Sequence, residues 1–500
     1  MFLSRYAQVS SMALLRAYFA VHRQLLNTVH SMQILIIGAG RIGNAVAEAL
    51  VDEANDITVV DLDRTRVDAL QSRLDLRGIV GNATSPEVLQ SAGAADADMI
   101  LAVTANDETN MAVCLLASRL FNIPTRIARV RNSELRSYPR LLAEEGFQIT
   151  SAIWPEQTLT ESLLRLIEFP ETLQILDFAE GKASLFCVRA AAGSPLVGRP
   201  IRDLAVHLPK VPARIVSVFR RNRRLDLSSD TVIESGDEVI ALSSGRNVKR
   251  VISELRHHEE RIRNIIIGGN QVLGIQLAQA LNGPDGRKGY HINIIDPNRA
   301  LSKSLAAHRP TDTEFFEGAI TDEEMLETTG IAQCDLYISL SSHDETNIMG
   351  ALLAKKLGAR RVIALTDNAT FSDLMQGTQI DITVSKTQAC LNELLRHVRR
   401  GDVVSAHSLR RGVAEALEIV AHGNAKSSRV VGKLIKDIDL PEGATIAALV
   451  RENPDNDDFQ LLVAAGDLTI VAEDRVIVFV PSKRMIPQIE KLFAVDVGFF

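Results

Sequence analysis

Cysteine is scarce in this chain of 500 residues. Cys114, Cys187, Cys334 and Cys390 are far apart and form no Cys-x-x-Cys pair. A structural metal site or a disulfide framework needs closely spaced or paired cysteines. The sequence therefore predicts buried free thiols in a reducing cytosol, and it argues against metal or disulfide roles for these residues.

The chain also lacks a surplus of positive charge. Lysine and arginine number 55 against 62 aspartates and glutamates, and the formal net charge is −7. A protein that binds nucleic acid without regard to sequence needs a basic face that neutralises phosphates. The charge balance therefore argues against nucleic acid as a partner, although it still allows a small basic site for one anionic ligand.

No apolar run is long enough for a transmembrane helix. A spanning helix needs about 20 apolar residues, and charged or turn residues interrupt every apolar stretch here. Residues 1–31 contain Arg5, Arg16 and Arg23 and lack the layout of a signal peptide. We expect these residues to be an extension ahead of Met32, which directly precedes the first strand; a weakly amphipathic helix is the alternative.

What the chain does contain is an internal repeat that covers nearly its whole length. The tetrapeptide Asp-Glu-Thr-Asn at 107–110 returns at 344–347, and Gly198 in SPLVGRPIRDL matches Gly432 in SRVVGKLIKDI. Each unit is far longer than the roughly 20–50 residues of a solenoid repeat. Its length fits two domains, so the chain is predicted to be a duplicated pair of domains.

Two patterns of strands and helices follow one another within each unit. In the front part, apolar runs such as ILIIG, DITVVD and MILAVT alternate with helical stretches, which predicts parallel βαβ units. The back part has short strands between turn residues and then one helix. The predicted fold class is α/β, with two Rossmann-like parallel-sheet domains at 32–152 and 262–385, each followed by a small α+β domain, at 153–258 and 386–500.

An amphipathic helix is predicted to join the two parts of each unit. In IWPEQTLTESLLRLIEF, one side of such a helix carries Leu159, Leu163, Leu164 and Ile167. The segment QACLNELLRHVRR takes the same place in the second unit. The helix is either a hinge or dimer surface, with Trp154 as a packing anchor, or an ordinary connection between domains.

The strongest local motif is a glycine-rich loop between the first strand and the first helix. Three glycines form Gly-x-Gly-x-x-Gly in the strand-to-helix context that dinucleotide binding requires. The loop and the start of the helix offer backbone amides and the positive end of a helix dipole to phosphates. The candidate residues of this loop are Gly38, Ala39, Gly40, Arg41, Ile42 and Gly43.

Asp61 ends the second strand and completes the motif. A carboxylate at that point accepts hydrogen bonds from the hydroxyls of an adenosine ribose and repels a 2′-phosphate. NAD(H) is therefore predicted in preference to NADP(H). The motif alone does not separate NAD(H) from ATP, ADP or S-adenosylmethionine, because all of them can share the ribose carboxylate.

The same motif is degraded in the second unit. Gly269 and Gly274 stay in frame, but Gln271 stands where the middle glycine should be. A side chain at that position narrows the approach to a pyrophosphate. Asp296 still ends the next strand. Two alternatives stay open for this loop: a second nucleotide site, or a scaffold that is kept for pairing with the first copy.

These motifs, in this order, resemble those of RCK domains, also called KTN domains, which regulate potassium channels and transporters. The resemblance covers about residues 32–497. It rests on segments from both units: IIGAGRIG, the acid in VVDLD, GNATSPEVLQSAGAADADMILAVTANDETN, RIARVR, FAEGKASL, SLRRGVAEALEIVAHG and LPEGATIAALVR.

By this resemblance, the first site extends beyond the glycine loop. It takes in Thr104 and Ala105, after the fourth strand, and Arg129, after the fifth. A guanidinium group binds phosphate bidentately; the alternative for Arg129 is a surface ion pair. In the second unit, Ser341 and Thr366 are expected in the places of Thr104 and Arg129.

The resemblance also implies a function. The chain is expected to be the cytoplasmic NAD(H)-binding regulatory subunit of a Trk-type potassium uptake system, at the inner face of the plasma membrane. Its expected partners are a membrane potassium-transporting subunit and copies of itself, with four chains forming a ring of eight Rossmann-like domains. NAD(H), or ATP or ADP, would change the shape of this ring.

The alternative function is that of an NAD-dependent oxidoreductase. Hydride transfer needs a general acid or base near the nicotinamide, usually His, Lys or Tyr, and no histidine occurs between His30 and His207. Asp107 and Glu108 are adjacent at a strand-to-helix junction, where we expect one of them to cap the helix. The sequence therefore favours a non-enzymatic switch. A third possibility is that the small domains sense a cyclic dinucleotide or a divalent cation. The sequence shows no acidic cluster that supports this function.

Overall fold

The computed structural model describes most of the chain from Met32 onward. The described ranges are 32–51, 55–143, 145–257, 261–283, 289–298, 312–375, 379–398, 403–409, 413–453 and 458–495. The predicted extension at 1–31 therefore lies outside the described residues.

The first parallel sheet is built from the strands that read as apolar runs in the sequence. The strands are β1 (Gln33–Ile37), β2 (Asp56–Asp61), β3 (Arg77–Val80), β4 (Met99–Ala102), β5 (Thr125–Arg129) and β6 (Ser151–Ile153). The helices are α1 (Arg41–Leu50), α2 (Arg64–Gln71), α3 (Pro86–Ser91), α4 (Asp107–Phe121) and α5 (Pro139–Leu142). The strand order β3-β2-β1-β4-β5-β6 is that of a doubly wound Rossmann sheet, so the order reverses between β1 and β4.

A small antiparallel domain follows this sheet. Its connecting helix is α6 (Pro155–Glu168), and its strands are β7 (Thr172–Phe178), β8 (Ala183–Arg189), β9 (Ala213–Arg220), β10 (Arg223–Arg224) and β11 (Glu238–Ser244). They pair in the order β10-β9-β11-β8-β7. Two helices, α7 (Asp203–His207) and α8 (Val248–Leu255), complete the domain, and α8 buries its apolar side in the core of this sheet.

The second unit repeats the parallel sheet. Its strands are β12 (Asn264–Gly268), β13 (His291–Asp296), β14 (Thr313–Glu317), β15 (Leu336–Ser339), β16 (Arg361–Leu365) and β17 (Ile382–Val384). Its helices are α9 (Gln271–Asn282), α10 (Glu323–Thr328), α11 (Asp344–Lys356) and α12 (Ala369–Leu374). The order β14-β13-β12-β15-β16-β17 matches that of the first sheet strand for strand.

The second small domain repeats the topology of the first. It begins with α13 (Lys386–Val398) and contains β18 (Val403–Leu409), β19 (Ala414–Val420), β20 (Thr445–Asn453), β21 (Asp458–Val463), β22 (Arg475–Val480) and α14 (Ile486–Phe493). The order β18-β19-β22-β20-β21 is that of the first small sheet with each strand replaced by its counterpart. The predicted fold class, two Rossmann-like domains that each precede a small α+β domain, is confirmed.

Each connecting helix packs on the Rossmann-like domain of the other unit. Helix α6 buries Leu159, Leu163 and Ile167 in a core shared with β12 and α9. Helix α13 buries Leu394 in a core shared with β1 and α1. The predicted apolar side of α6 is therefore present, with Leu164 only partly buried, and it serves as an interface between the two units.

Polar contacts fix the crossing of these two helices. The Oγ1 of Thr158 donates to Oε2 of Glu393 at 2.6 Å, and Nζ of Lys386 lies 3.0 Å from Oε1 of Glu156. Burial raises the pKa of Glu393, while the hydrogen bond from Thr158 opposes that shift. The two units are thus locked together by α6 and α13, which belong to different copies of the repeat.

The two small domains also share a core. Phe178 packs edge-on against the ring of His407, with the ring centroids 5.0 Å apart, and Phe479 lies in the same cluster. The amide of Ala179 donates to Oε2 of the buried Glu418 at 3.0 Å. The interface between the units therefore runs through the small domains as well as the crossing helices.

The four cysteines are buried free thiols, as predicted. Burial raises the pKa of Cys114, Cys334 and Cys390 to about 12. A thiol with such a pKa stays protonated and unreactive at neutral pH.

Candidate nucleotide site

The predicted glycine loop lies between β1 and α1, where the strand order of the first sheet reverses. Gly38 has φ +107°, and a Cβ atom on it would lie 3.1 Å from the backbone of Thr104, so the position suits glycine. Gly40 precedes α1, and no side chain among the described residues caps this end of the helix. The first amides of α1 can therefore donate to an anion.

The other loop residues contribute backbone and charge. Ala39 and Ile42 are each only 7% exposed, and their side chains pack in the core. The amide of Ala39 already donates to Asp61, so Ile42 is the one of the two that can offer its amide to a ligand. Arg41 is exposed and is the first residue of α1.

The carboxylate of Asp61 lies beside this loop. Its Oδ2 accepts the amide of Ala39 at 2.6 Å, and its Oδ1 accepts the amide of Asp63 at 2.8 Å. Each carboxylate oxygen has a second lone pair, and the residue is partly exposed. Asp61 thus positions the glycine loop and keeps acceptor capacity for the hydroxyls of a ribose.

Sequence reasoning missed the residue that ties together the far side of the site. Asn110 is fully buried; its Oδ1 accepts from the amide and hydroxyl of Thr104 at 3.0 and 2.7 Å. Its Nδ2 donates to the carbonyl of Arg129 at 2.9 Å, which joins the ends of β4 and β5. Ala105, which follows Thr104 in the chain, is exposed. The available signal was the repetition of this asparagine as Asn347.

Arg129 lies partly buried beside Thr104. Its Nη1 donates to the carbonyl of Thr104 at 3.3 Å, and its Nε is buried with no hydrogen-bond partner among the described residues. Burial lowers the pKa of Arg129, and Cys390 and Glu156 lie close enough to oppose that shift. A guanidinium group with an unsatisfied N–H suits an anionic ligand group.

Asn106 caps α4, so the expectation that Asp107 or Glu108 does so is wrong. The Oδ1 of Asn106 accepts from an amide of the first helical turn at 2.6 Å. Asp107 turns instead to the loop after β5, where its Oδ2 accepts the amides of Arg131 and Asn132 at 2.9 Å each. The acid therefore connects two strand ends, which is a tertiary role.

In the second glycine loop, one backbone amide at the start of α9 already has a hydrogen-bond partner. Asn270 caps α9, and its side chain accepts from an amide of the first turn at 3.0 Å. Ser341 takes the place of Thr104, as predicted, and a Cβ atom on Gly269 would lie only 2.7 Å from the Cβ of Ser341. With one amide taken by Asn270, the start of α9 offers less to a diphosphate than the start of α1 does.

The acid of the second loop, Asp296, is also less accessible than its counterpart Asp61. Asp296 is 7% exposed, and its Oδ1 accepts a neighbouring backbone amide at 2.8 Å, whereas Asp61 is partly open to solvent. Gly274 packs against Ile294 of β13, and its counterpart Gly43 packs against the carbonyl of Gly38. The second loop thus keeps the packing role of the motif and loses much of its openness.

Leu365 occupies the place of Arg129 in the second unit, so the assignment of Thr366 to that place is wrong by one position. Asn347 donates to the carbonyl of Leu365 at 2.9 Å, as Asn110 does to that of Arg129. The segment from the start of α11 to the start of β16 is one residue shorter than its counterpart in the first unit. The second unit therefore lacks the guanidinium group at this point.

Arg41 reaches across to the second unit. Its Nη1 lies 3.7 Å from Oδ2 of Asp367 and 4.0 Å from Oδ1 of Asp344. The acidic side chains are 14% and 11% exposed, against 67% for Arg41. The first glycine loop thus faces a mostly buried acidic pair that belongs to the other copy of the repeat.

Within the described ranges, no helix is long and apolar enough to cross a membrane. Those residues also hold no group of three or more His, Cys, Asp or Glu side chains arranged to bind a metal ion.

Family models match each of the four domains. The TrkA-N domain matches residues 34–149 and 264–386, and the TrkA-C domain matches residues 185–256 and 425–494. The chain belongs to the TrkA family. The first TrkA-N match spans the first parallel sheet from β1 to β5 and ends before β6, and the second spans the whole of the second parallel sheet. The two TrkA-C matches lie in the small domains.

Similar TrkA proteins extend over nearly the same length. The Trk system potassium uptake protein TrkA of Halomonas elongata is 44% identical over 469 residues, which cover 94% of this chain and 100% of that protein. The protein of the same name from Vibrio alginolyticus is 41% identical over 463 residues, 92% of this chain and 98% of the relative. The similarity to TrkA therefore includes both units.

Solved RCK structures share this fold. The RCK domain of GsuK superposes with a TM-score of 0.57 at 19% identity and covers 91% of this chain and 94% of that one. The GsuK channel bound to NAD gives a TM-score of 0.56 at 19% identity, with coverage of 93% and 79%. At this identity, the likeness establishes a shared fold.

Proposed function

We propose that this chain is the NAD(H)-binding regulatory subunit of a Trk-type potassium uptake system. One observation carries the proposal: in the first unit, the uncapped start of α1 at Gly40 lies beside the carboxylate of Asp61. Amides at a helix start suit a diphosphate, and the carboxylate suits an adenosine ribose. ATP and ADP carry the same two groups and are the alternative ligands.

One nucleotide per chain is expected. Asn270 already caps the start of α9, and Asp296 is buried, so the second loop offers fewer free donors and a less accessible acid. Gly269, Gly274 and Asp296 are then a scaffold that pairs with the first unit. A calorimetric stoichiometry near two nucleotides per chain would contradict this part of the proposal.

Calorimetric titration tests the site itself. NAD⁺, NADH, ATP and ADP are titrated into the wild type, Asp61→Ala and the matched variant Asp296→Ala. Loss of a charge-assisted pair of ribose hydrogen bonds is worth about 1.5–3 kcal/mol, so Asp61→Ala should weaken binding by about tenfold or more. Asp296→Ala should leave the affinity unchanged. Equal affinities in the wild type and Asp61→Ala would remove this residue from the site.

The proposed action is the gating of a membrane potassium-transporting subunit. A ligand that binds two conformations with different affinity shifts their populations, and the crossing of α6 and α13 couples the two units mechanically. The chain would act at the cytoplasmic face of the plasma membrane. Potassium uptake that responds to NAD(H) with the wild type but not with Asp61→Ala is the expected result.

Non-enzymatic action can be tested directly. Purified protein is incubated with NADH and a panel of carbonyl compounds while the absorbance of the reduced nicotinamide is followed. We expect binding without turnover, because a hydride-transfer enzyme needs a proton donor or acceptor at the nicotinamide. Sustained oxidation of NADH would support the oxidoreductase alternative.

Assembly into a homotetramer, with a ring of eight Rossmann-like domains, is the last part of the proposal. Its support is a set of exposed apolar side chains on both Rossmann-like domains: Leu120, Tyr138, Leu141, Met349 and Leu374. Apolar side chains that face solvent can pack against another chain, and where they form a contiguous patch they mark a protein interface. Light scattering should give the mass of four chains for the wild type and a smaller mass for Leu120→Glu combined with Met349→Glu.

A further inference from the structure

The acids that face Arg41 are held rigidly by their own unit. Asp344 uses Oδ2 to accept the amides of Asp367 and Asn368 at 3.1 and 2.9 Å. Asp367 uses Oδ1 to accept a hydroxyl and an amide around the start of α13, at 2.8 and 2.9 Å. One oxygen of each acid is left toward Arg41, so the acidic pair is preorganised.

The equivalent position of the first unit carries the opposite charge. Asp107 accepts the amide of Arg131 in the way that Asp344 accepts that of Asp367, so Arg131 and Asp367 are structural counterparts. Arg131 lies with Nε 3.6 Å from Oδ1 of Asp107 and neutralises that acid within its own unit. The second unit has two adjacent acids where the first has an internal ion pair.

The two glycine loops also differ in charge at one position. Arg41 in the first loop corresponds to Val272 in the second. The acids Asp344 and Asp367 both face Arg41 of the first loop, so this group of three side chains carries one net negative charge. Because both acids are mostly buried, this charge is weakly screened by solvent and salt.

The acidic pair lies on the side of the site where the second half of a dinucleotide would extend. With the ribose at Asp61 and the diphosphate at the start of α1, the rest of a ligand passes over the switch point toward β4 and β5. Asp367 accepts the amide of Thr387 at the start of α13. The preceding residue, Lys386, lies 3.0 Å from Glu156 at the start of α6, which follows β6, the strand that pairs with β5 at Arg129. The far end of the ligand and the acids therefore share one region.

We propose that Asp344 and Asp367 of the second unit determine the charge of the ligand that the first unit prefers. The inference rests on the proposed NAD(H) function and deepens it. An acidic pair attracts the cationic nicotinamide ring of NAD⁺, has no such attraction for the neutral ring of NADH, and repels the terminal phosphate of ATP. The order of preference is then NAD⁺, NADH and free ATP.

Calorimetry in magnesium-free buffer tests this order. NAD⁺, NADH and ATP are titrated into the full-length wild type, Asp367→Asn and Asp344→Asn, with the exposed Glu327→Gln as a control for the loss of one surface charge. Each asparagine keeps an oxygen acceptor for the local amides. We expect the ratio of NAD⁺ to NADH affinity to fall about threefold to tenfold in both variants, the affinity for ATP to rise, and Glu327→Gln to change neither.

A substitution that makes the acidic cluster more negative, instead of less, distinguishes an electrostatic effect from a structural one. Arg41→Gln adds to the negative excess of the cluster, so the ratio of NAD⁺ to ATP affinity should rise even if the absolute affinities fall. Unchanged ratios in Asp367→Asn, Asp344→Asn and Arg41→Gln, with nucleotide still bound, would overturn the inference alone. Absence of nucleotide binding by the wild type, or full binding by Asp61→Ala, would overturn the proposed site and this inference with it.

Discussion

A Cβ atom on Gly43 would stand 1.8 Å from the carbonyl oxygen of Gly38. No real carbon–oxygen contact is that short, so α1 can lie against the loop only because residue 43 has no side chain. The position of Gly40 is different, since a Cβ atom there meets nothing within 4 Å. Two glycines of one motif therefore differ: Gly43 lets α1 pack on the loop, and Gly40 leaves open space at the start of α1.

This difference predicts opposite outcomes for two alanine substitutions. Gly43→Ala forces α1 away from the loop at Gly38 and should lower the free energy of unfolding by about 1–3 kcal/mol, as overpacking does. Gly40→Ala should leave thermal unfolding nearly unchanged and yet weaken nucleotide binding, because the methyl group stands where a diphosphate approaches. Thermal unfolding and calorimetry on both proteins separate the two effects; equal melting temperatures for the two variants would contradict the packing role of Gly43.

Shortening the side chain of Leu163 on the crossing helix α6 to that of alanine should destabilise both units. Leu163 is fully buried in the core of the opposite Rossmann-like domain, and Leu→Ala changes at such sites cost about 2–5 kcal/mol. Leu164→Ala is the matched control, because that side chain is only partly buried and should cost clearly less. Denaturant unfolding measures both. If the two losses are the same, the packing of α6 on the second unit does not contribute as described.

Tyr337 presents a chance to gain stability. Its hydroxyl is buried between Gly268 and Gly350, with no hydrogen-bond partner among the described residues, and burial raises the pKa of the phenol. A buried unsatisfied polar group costs about 1–3 kcal/mol. Tyr337→Phe should therefore raise the free energy of unfolding by about 1 kcal/mol, while Tyr138→Phe, at an exposed position, should not. A destabilised Tyr337→Phe would reveal a hydrogen bond at this hydroxyl.

His407 should make the interface of the small domains sensitive to acid. Burial lowers its pKa from 6.5 to about 4, with nearby Asp177 opposing the shift and Arg396 adding to it. The unfolded chain then binds a proton below pH 6.5 that the folded chain takes up only near pH 4, so stability is lost as the pH falls through this window. His407→Phe should flatten the decline in melting temperature between those values. His291→Phe, at the exposed first residue of β13, should leave the decline as steep as in the wild type.

The architecture of each unit could be predicted from the sequence because its signals are local. Continuous apolar runs specify strands covered on both faces, and the glycine spacing with Asp61 specifies the loop between β1 and α1 and the acid beside it. The internal repeat then assigns the same fold to the degraded second unit. Even the buried side of α6 is readable, because Leu159, Leu163 and Ile167 recur at helical spacing.

What that side of α6 packs against is not readable, because an apolar stripe does not name its partner. The exchange of α6 and α13 between units depends on residues more than 200 positions apart, such as Thr158 and Glu393. The one-residue shortening before β16 was not readable from the sequence either. The hydrogen bond from Asn347 to the carbonyl of Leu365 identifies Leu365 as the counterpart of Arg129.

The sequence by itself determined the fold class, the duplication and the glycine loop with its acid, since each of these follows from residues that are neighbours along the chain. Only the tertiary structure decided that Arg41 meets Asp344 and Asp367, that Asn110 joins two strand ends, and that Asn270 closes the second loop. The physical reason is that charge pairing and hydrogen bonding depend on distance in space, and folding brings these groups together from different copies of the repeat.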